Sequence, residues 1–254
     1  MSDANTRSVD LTVHIDAPIE TVWSMITDPG EIARWLAPSA TSQSGQGGYI
    51  EVSWGEGMTG RNTIKTWQPP QHLLMGNADA GLDEDYTLTS EAGGTVLRLH
   101  HSGFPATPDG EAYQRSLENG WRAFFAMLRH GAQHAGQPYK NVTLFRQLGG
   151  SRDEAWNSLA RPGGLTKEGL PRVEAGQTYE VELFNGSKIR GTVLHSVWPG
   201  YLVLSAANLD DSVLALLCEG GPTSAMLTIT WILNGKAATQ EAEFKGVWQR
   251  WSEQ

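Results

Sequence analysis

Two histidines stand side by side at His100-His101, two more are four apart at His130 and His134, and short acidic runs occur at Asp83-Glu84-Asp85 and Asp210-Asp211. Each could carry chemistry. Histidine works as an acid or base near neutral pH, an i, i+4 pair on a helix can hold zinc, and carboxylates that converge in space can share proton transfer. Placed on elements, these readings weaken. His100 and His101 fall in an alternating segment, so they point to opposite faces and cannot act on one substrate. An inward His among apolar neighbours is more often a hydrogen-bonded core residue. His130 and His134 sit on the last turns of a helical stretch, where the dipole favours His anyway, and no third ligand stands nearby in the sequence. The acidic runs open strands and read as solvated edges that discourage edge pairing. Cys218 follows the apolar run Val213-Leu214-Ala215-Leu216-Leu217 and reads as a buried structural thiol. There is no Gly-x-Ser-x-Gly elbow, no P-loop and no Gly-x-Gly-x-x-Gly opening a helix. The expectation is no metal, no cofactor and no catalytic residue, in a protein that nothing requires to be an enzyme.

Composition narrows the partners. The chain has 254 residues, a formal net charge of -9 and one cysteine. The single thiol excludes an intrachain disulfide and fits a reducing compartment. An acidic balance argues against nucleic acid and anionic membranes, which select clustered Lys and Arg. No apolar stretch approaches the ~20 residues of a membrane span. Residues 1–8 are polar and lack the apolar core of a signal peptide, so the expectation is a cytoplasmic protein with a frayed N-terminus.

The elements that must position any site occur twice. Val9 to Trp23 lies without a gap on Val142 to Trp156. Gly47-Gly48-Tyr49-Ile50-Glu51-Val52 finds Gly176-Gln177-Thr178-Tyr179-Glu180-Val181, and Trp67-Gln68-Pro69 finds Trp198-Pro199. Gly120-Trp121 finds Gly246-Val247-Trp248. A period of this length marks repeated domains rather than stacked units. The linker falls at Ala135 to Lys140, which predicts domains 1–136 and 137–254.

In the first copy, Val9, Leu11, Val13 and Ile15 alternate with polar residues as a half-buried strand does. Asp16 and Pro18 then start a helix carrying Val22, Trp23 and Ile26, and Ile32 to Leu36 suggests a second short one. Pro38 to Gly48 reads as loop. Four or five antiparallel strands follow, at 49–54, 59–67, 72–76, 83–90 and 94–101, with turns at Gly55-Glu56-Gly57 and Ala92-Gly93-Gly94. Phe104 to Gly110 reads as loop, and Ala112 to His134 as a long helix with Leu117, Trp121, Phe124, Phe125 and Leu128 on one stripe. The second copy repeats the order with losses. Leu165 to Gly169 replaces the second short helix, and a closing helix at about Ala237 to Trp251 is shorter by about two turns.

In this order the first copy resembles the Bet v 1-like superfamily, also called START-like or SRPBCC, and within it the proteins named after the activator of heat-shock protein 90 ATPase. The resemblance is carried by Ile15-Asp16-Ala17-Pro18-Ile19-Glu20-Thr21-Val22-Trp23, Glu31-Ile32-Ala33-Arg34-Trp35, Gly47-Gly48-Tyr49, Thr95 to Phe104, and Asn119-Gly120-Trp121. It implies an α+β fold with two tandem helix-grip domains, each a curved antiparallel sheet around a long C-terminal helix, the second degenerate. Where sheet and helix do not meet, such a fold leaves a cavity. Its candidate lining here is Trp54, Thr63, Lys65, Trp67, Tyr86, Leu88, Leu97, Leu99 and His101 from the strands. Trp121, Phe124, Phe125 and Leu128 come from the helix. The same side chains would serve equally as a filled core.

Three functions follow. The first is non-enzymatic binding of a small hydrophobic or aromatic ligand in the first domain. The second, implied by the resemblance, is a chaperone-accessory interaction, although the namesake's activity depends heavily on a separate N-terminal domain that nothing in this sequence matches. The third is a cyclase- or aromatase-type enzyme, which would need an inward His, Lys or carboxylate of perturbed pKa, with His101 and Lys65 as candidates. A duplicated chain also implies an intrachain pseudo-dimer that is monomeric in solution.

Overall fold

The computed structural model describes residues 6–55, 57–77 and 79–252, and divides the chain into two compact units, Met1–Gly136 and Gln137–Gln254. In the first unit, β1 (Thr6–Ile15) leads to α1 (Ile19–Thr27) and α2 (Pro29–Ile32). The strands β2 (Ser39–Gln43), β3 (Tyr49–Gly55), β4 (Met58–Gln68), β5 (His72–Asn77), β6 (Leu82–Glu91) and β7 (Gly94–Pro105) follow, closed by α3 (Pro108–Ala132). All seven strands form one antiparallel sheet in the order β1-β7-β6-β5-β4-β3-β2.

Local chemistry sets these boundaries. Asp28 caps α2 by accepting from Gly30 N at 2.8 Å, with Pro29 in the first turn. Thr107 caps α3 in the same way, its hydroxyl accepting from Gly110 N at 3.1 Å ahead of Pro108. Register shifts opposite Arg7/Ser8, at Ser53/Gly55 and at Ile64/Thr66 leave Gly103, Trp54 and Lys65 as the extra residues of bulges in β7, β3 and β4, which bend the sheet. Gly103, at φ 101°, lets β7 pass the β5–β6 turn: a Cβ there would lie 2.2 Å from the Gly81 carbonyl.

The structure revises several sequence expectations. Ser39–Gln43 is an edge strand rather than loop; its residues are all small or polar, so no apolar alternation announces it. Strand β7 runs on through Phe104, which is fully buried, and α3 begins at Pro108. Thr6 to Ser8, expected to fray, pair with Pro105 to Ser102, while residues 1–5 lie outside the described residues.

The second unit contains β8 (Tyr139–Gly149), α4 (Arg152–Ala160), β9 (Thr178–Glu182), β10 (Lys188–Val197), β11 (Tyr201–Ala206), β12 (Ser212–Gly220), β13 (Ser224–Asn234) and α5 (Glu241–Ser252). Its sheet order, β8-β13-β12-β11-β10-β9, repeats that of β1-β7-β6-β5-β4-β3. Val9 opposes His101 as Val142 opposes Trp231, so the ungapped sequence match is also a match of register. The hairpins agree too. Gly47 N and Ile64 N bond Ile64 O and Gly48 O, as Gly176 N and Val193 N bond Val193 O and Gln177 O. The bulge after Ile64 recurs after Val193. Among the described residues no helix stands in the place of α2, and α5 has 12 residues against 25 in α3, a deficit of more than three turns rather than two.

One expected equivalence shifts. The Trp23 and Trp67 rings meet edge to face at 5.0 Å, and Trp156 and Trp198 repeat the contact at 5.2 Å. Trp67 opposes Leu73, and the corresponding Leu202 opposes Ser196, so Trp198 reaches its partner from two residues further along the chain. The proposed match of Gly120-Trp121 to Gly246-Val247-Trp248 involves a Trp248 side chain that lies outside the described residues.

Candidate functional site

Residues directly opposite one another across a sheet share a face, so the pairing lists the inner surface of the first unit row by row. One row is Val13, Leu97 and Leu88; the next is Leu11, Leu99, Tyr86, Leu73 and Trp67; the third is Val9, His101, Glu84, Met75 and Ile64. Helix α3 packs against β1, β7 and α1, and presents Trp121, Phe124, Phe125 and Leu128. The rings form a cluster. Trp121 lies 6.3 Å from Tyr86, 6.1 Å from Phe124, 5.8 Å from Phe125 and 5.9 Å from His101, with Phe104 at 4.9 Å from His101. Trp35 closes one end, 6.5 Å from Phe125, its indole donating to the Met25 carbonyl at 2.7 Å, and Trp54 donates to the Leu36 carbonyl at 3.1 Å.

Eleven of the thirteen lining residues named from the sequence, those other than Thr63 and Lys65, therefore occupy inward positions, although Leu88, Leu97, Leu99 and Leu128 are so deeply buried that they act as core. Thr63 and Lys65 do not line the interior. Thr63 opposes Gly76 on the outer face, and Lys65 is the extra residue of the β4 bulge, paired outside with Asp83. Simple alternation put Thr63, Lys65 and Trp67 on one face. The bulge reverses the phase between them, leaving Asn62 and Ile64 inward before it and Trp67 inward after it.

A polar group runs through this aromatic wall. His101 is 5% exposed, and its Nδ1 accepts the Trp121 indole N–H at 2.9 Å. Burial lowers its pKa to about 4, so the ring is neutral at pH 7, with its proton on Nε2. Directly across the strand pair is Glu84, whose two oxygens accept from Tyr86 Oη at 2.7 Å and Asn62 Nδ2 at 3.1 Å. Desolvation pushes the Glu84 carboxyl up, and burial together with the adjacent carboxylate pushes the Tyr86 phenol well up. Glu84 and Asn62 face inward yet keep part of their surface accessible, as do Trp54, Trp67 and Phe124.

Glu84 and Asn62 escaped the sequence reading. The run Asp83-Glu84-Asp85 suggested a solvated edge, and its outer members fit that: Asp83 pairs with Lys65, and Asp85 with His72 at 2.8 Å. Counting back by twos from Tyr86 and Leu88 would have turned Glu84 inward. The other chemical candidates fall away from this site. His100 faces outward and bonds Asp10 at 3.0 Å, His134 Nδ1 donates to the His130 carbonyl at 3.0 Å, and Cys218 is buried with its thiol pushed up to about 11.

The second unit has the same rows without the polar group. In register, Leu214 stands for Glu84, Leu216 for Tyr86, Trp231 for His101 and Gly191 for Asn62. Trp231 is fully buried and packs on Phe244 at 4.8 Å, in a cluster of apolar side chains.

Residues 16–132 match the family model described as Activator of Hsp90 ATPase homolog 1-like protein. Among solved structures, MLL2253 from Mesorhizobium loti is 26% identical over 51% of this chain and 98% of its own, with a TM-score of 0.44. An AHSA1-like protein from Aeromonas hydrophila is 22% identical over 51% and 94%, with a TM-score of 0.43. The AHSA1-like protein RHE_CH02687 from Rhizobium etli is 26% identical over 50% and 82%, with a TM-score of 0.41. No curated protein matches the chain. No helix among the described residues is long and apolar enough to cross a membrane.

Proposed function

We propose, for a chain whose first unit belongs to the Activator of Hsp90 ATPase homolog 1-like family, that this unit takes a small hydrophobic or aromatic ligand between the inner face of β4–β7 and the inner stripe of α3. Both units then follow the helix-grip plan, and the second serves as a filled counterpart. The observation that carries this reading is Glu84: an inward carboxylate on an aromatic wall, held by Tyr86 and Asn62, that still keeps accessible surface. A core packed shut would replace such a group, as Leu214 does in the same register. The rings of Trp121, Phe124 and Phe125 supply the flat apolar contact that aromatic ligands favour. Titration of the full chain with 2-naphthol and flavone, read by intrinsic tryptophan fluorescence, tests it. Saturable quenching that is reduced in Trp121→Phe is expected; a flat response to both compounds at millimolar concentration overturns it.

A second reading, a chaperone-accessory interaction, is favoured by the description of the matched family. It predicts that the purified chain raises the ATPase rate of an Hsp90 chaperone, and an unchanged rate at excess protein removes it.

A further inference from the structure

Resting on that ligand reading, we infer that the site selects molecules that place a hydrogen-bond acceptor and a donor side by side on one edge of an apolar body, the acceptor for His101 and the donor for Glu84. The indole proton of Trp121 occupies Nδ1 of His101, so the neutral ring carries its own proton on Nε2. That Nε2–H has no hydrogen-bond partner among the described residues, on a side chain only 5% exposed. The nitrogen itself is not sealed off, so the N–H remains open to a ligand's acceptor where the rest of the ring is buried. Glu84 offers the complementary valence. Each of its oxygens accepts one bond, from Tyr86 or Asn62, and each retains a second acceptor position.

The two groups are neighbours by construction. Glu84 and His101 are directly opposed in the β6–β7 ladder and share the inner face, which sets their Cβ atoms about 5 Å apart. A donor and an acceptor at that separation read an adjacent acceptor–donor edge: a cyclic lactam, a vinylogous acid or a hydroxy-ketone. Aromatic walls from Tyr86, Trp121 and Phe124 accept the flat body that carries the edge. In the second unit the acceptor is gone, Leu214 standing in the register of Glu84, while Trp231 in the register of His101 keeps only an indole N–H packed deep against Phe244, so a paired donor and acceptor belong to the first unit.

The experiment uses three probes of one shape on the full chain: 2-quinolone, whose ring N–H and C=O share an edge, N-methyl-2-quinolone, which lacks the donor, and naphthalene, which lacks both. Isothermal titration of wild type is expected to rank 2-quinolone about tenfold or more above either analogue, because a hydrogen bond to a charged group is at stake. Glu84→Leu, which copies the second unit, should erase that preference while leaving naphthalene binding in place, and circular dichroism confirms that the variant is folded. Equal binding of all three probes by wild type, or an unchanged preference in Glu84→Leu, overturns the polar-edge inference but leaves the ligand site standing. No binding of any probe removes the ligand reading and this inference together.

Discussion

The indole N–H of Trp121 donates to Nδ1 of His101 across 2.9 Å, so a residue on α3 decides which nitrogen of a β7 histidine faces the interior as a donor. This one bond ties the closing helix to the sheet and sets the polarity of the site.

Replacing Trp121 by Phe keeps the aromatic volume and removes the donor. Stability should fall by about 1–3 kcal/mol, because His101 Nδ1 is left buried and unpaired. The urea midpoint of the full chain checks this. An Nε2-protonated His101 should be visible in the wild-type long-range imidazole correlations and lost as a single tautomer in the variant.

The pH dependence follows from the same burial. His101 is depressed from 6.5 to about 4 in the fold. Above pH 6.5 both states are neutral and the group is silent. Below it the unfolded chain takes a proton that the native ring refuses, so stability falls with pH, by roughly 3 kcal/mol once pH 4 is reached. Glu84, raised in the fold, acts in the opposite sense: native protonation favours the fold at low pH and that gain fades as pH rises. The difference between wild type and His101→Phe, measured from pH 7.5 to pH 5, isolates the histidine. The variant should lose less stability on acidification.

In the proposed site the polar group would exchange stability for selectivity. The double variant Glu84→Leu/Tyr86→Phe gives the first unit an apolar row like the Leu214 and Leu216 of the second. Its thermal midpoint should be unchanged or higher, because a desolvated carboxylate and its donors leave together. Affinity for 2-quinolone should drop by about tenfold.

Much of this was legible in the residues. The ungapped match of Val9–Trp23 to Val142–Trp156 pointed to a shared register, because apolar alternation and a capping Ser such as Ser151 are strong local signals. Asp16, expected to cap the first helix, instead pairs with His14 and leaves Pro18 at the N-cap of α1 with no side-chain bond. What escaped depended on features with no apolar signature. Strand β2 is small and polar throughout, and its pairing with β3 is a tertiary fact. The inward or outward sense of Thr63, Lys65 and Trp67 hung on a single bulge. Glu84 hid in an acidic run whose outer members are solvated, and Trp198 takes its ring contact from a shifted position in the chain.

The recurring tryptophan pair makes a separate claim about the cores. Trp156 is fully buried against Trp198, while Trp23 is 9% exposed against Trp67. Trp156→Ala should cost about 3–5 kcal/mol, and Trp23→Ala somewhat less, since its cavity lies nearer the surface. Calorimetry of the two variants checks the ranking.

In the proposed site the ligand rests against Trp121 of the first unit and not in the second. The most direct test is a nitrogen–proton correlation spectrum of the tryptophan indoles during titration with 2-naphthol, with the Trp121 signal assigned by its loss in Trp121→Phe. The Trp121 resonance is expected to move saturably while those of Trp156 and Trp231 stay fixed. A Trp121 resonance that does not move, or larger shifts at Trp156 and Trp231, would contradict this placement.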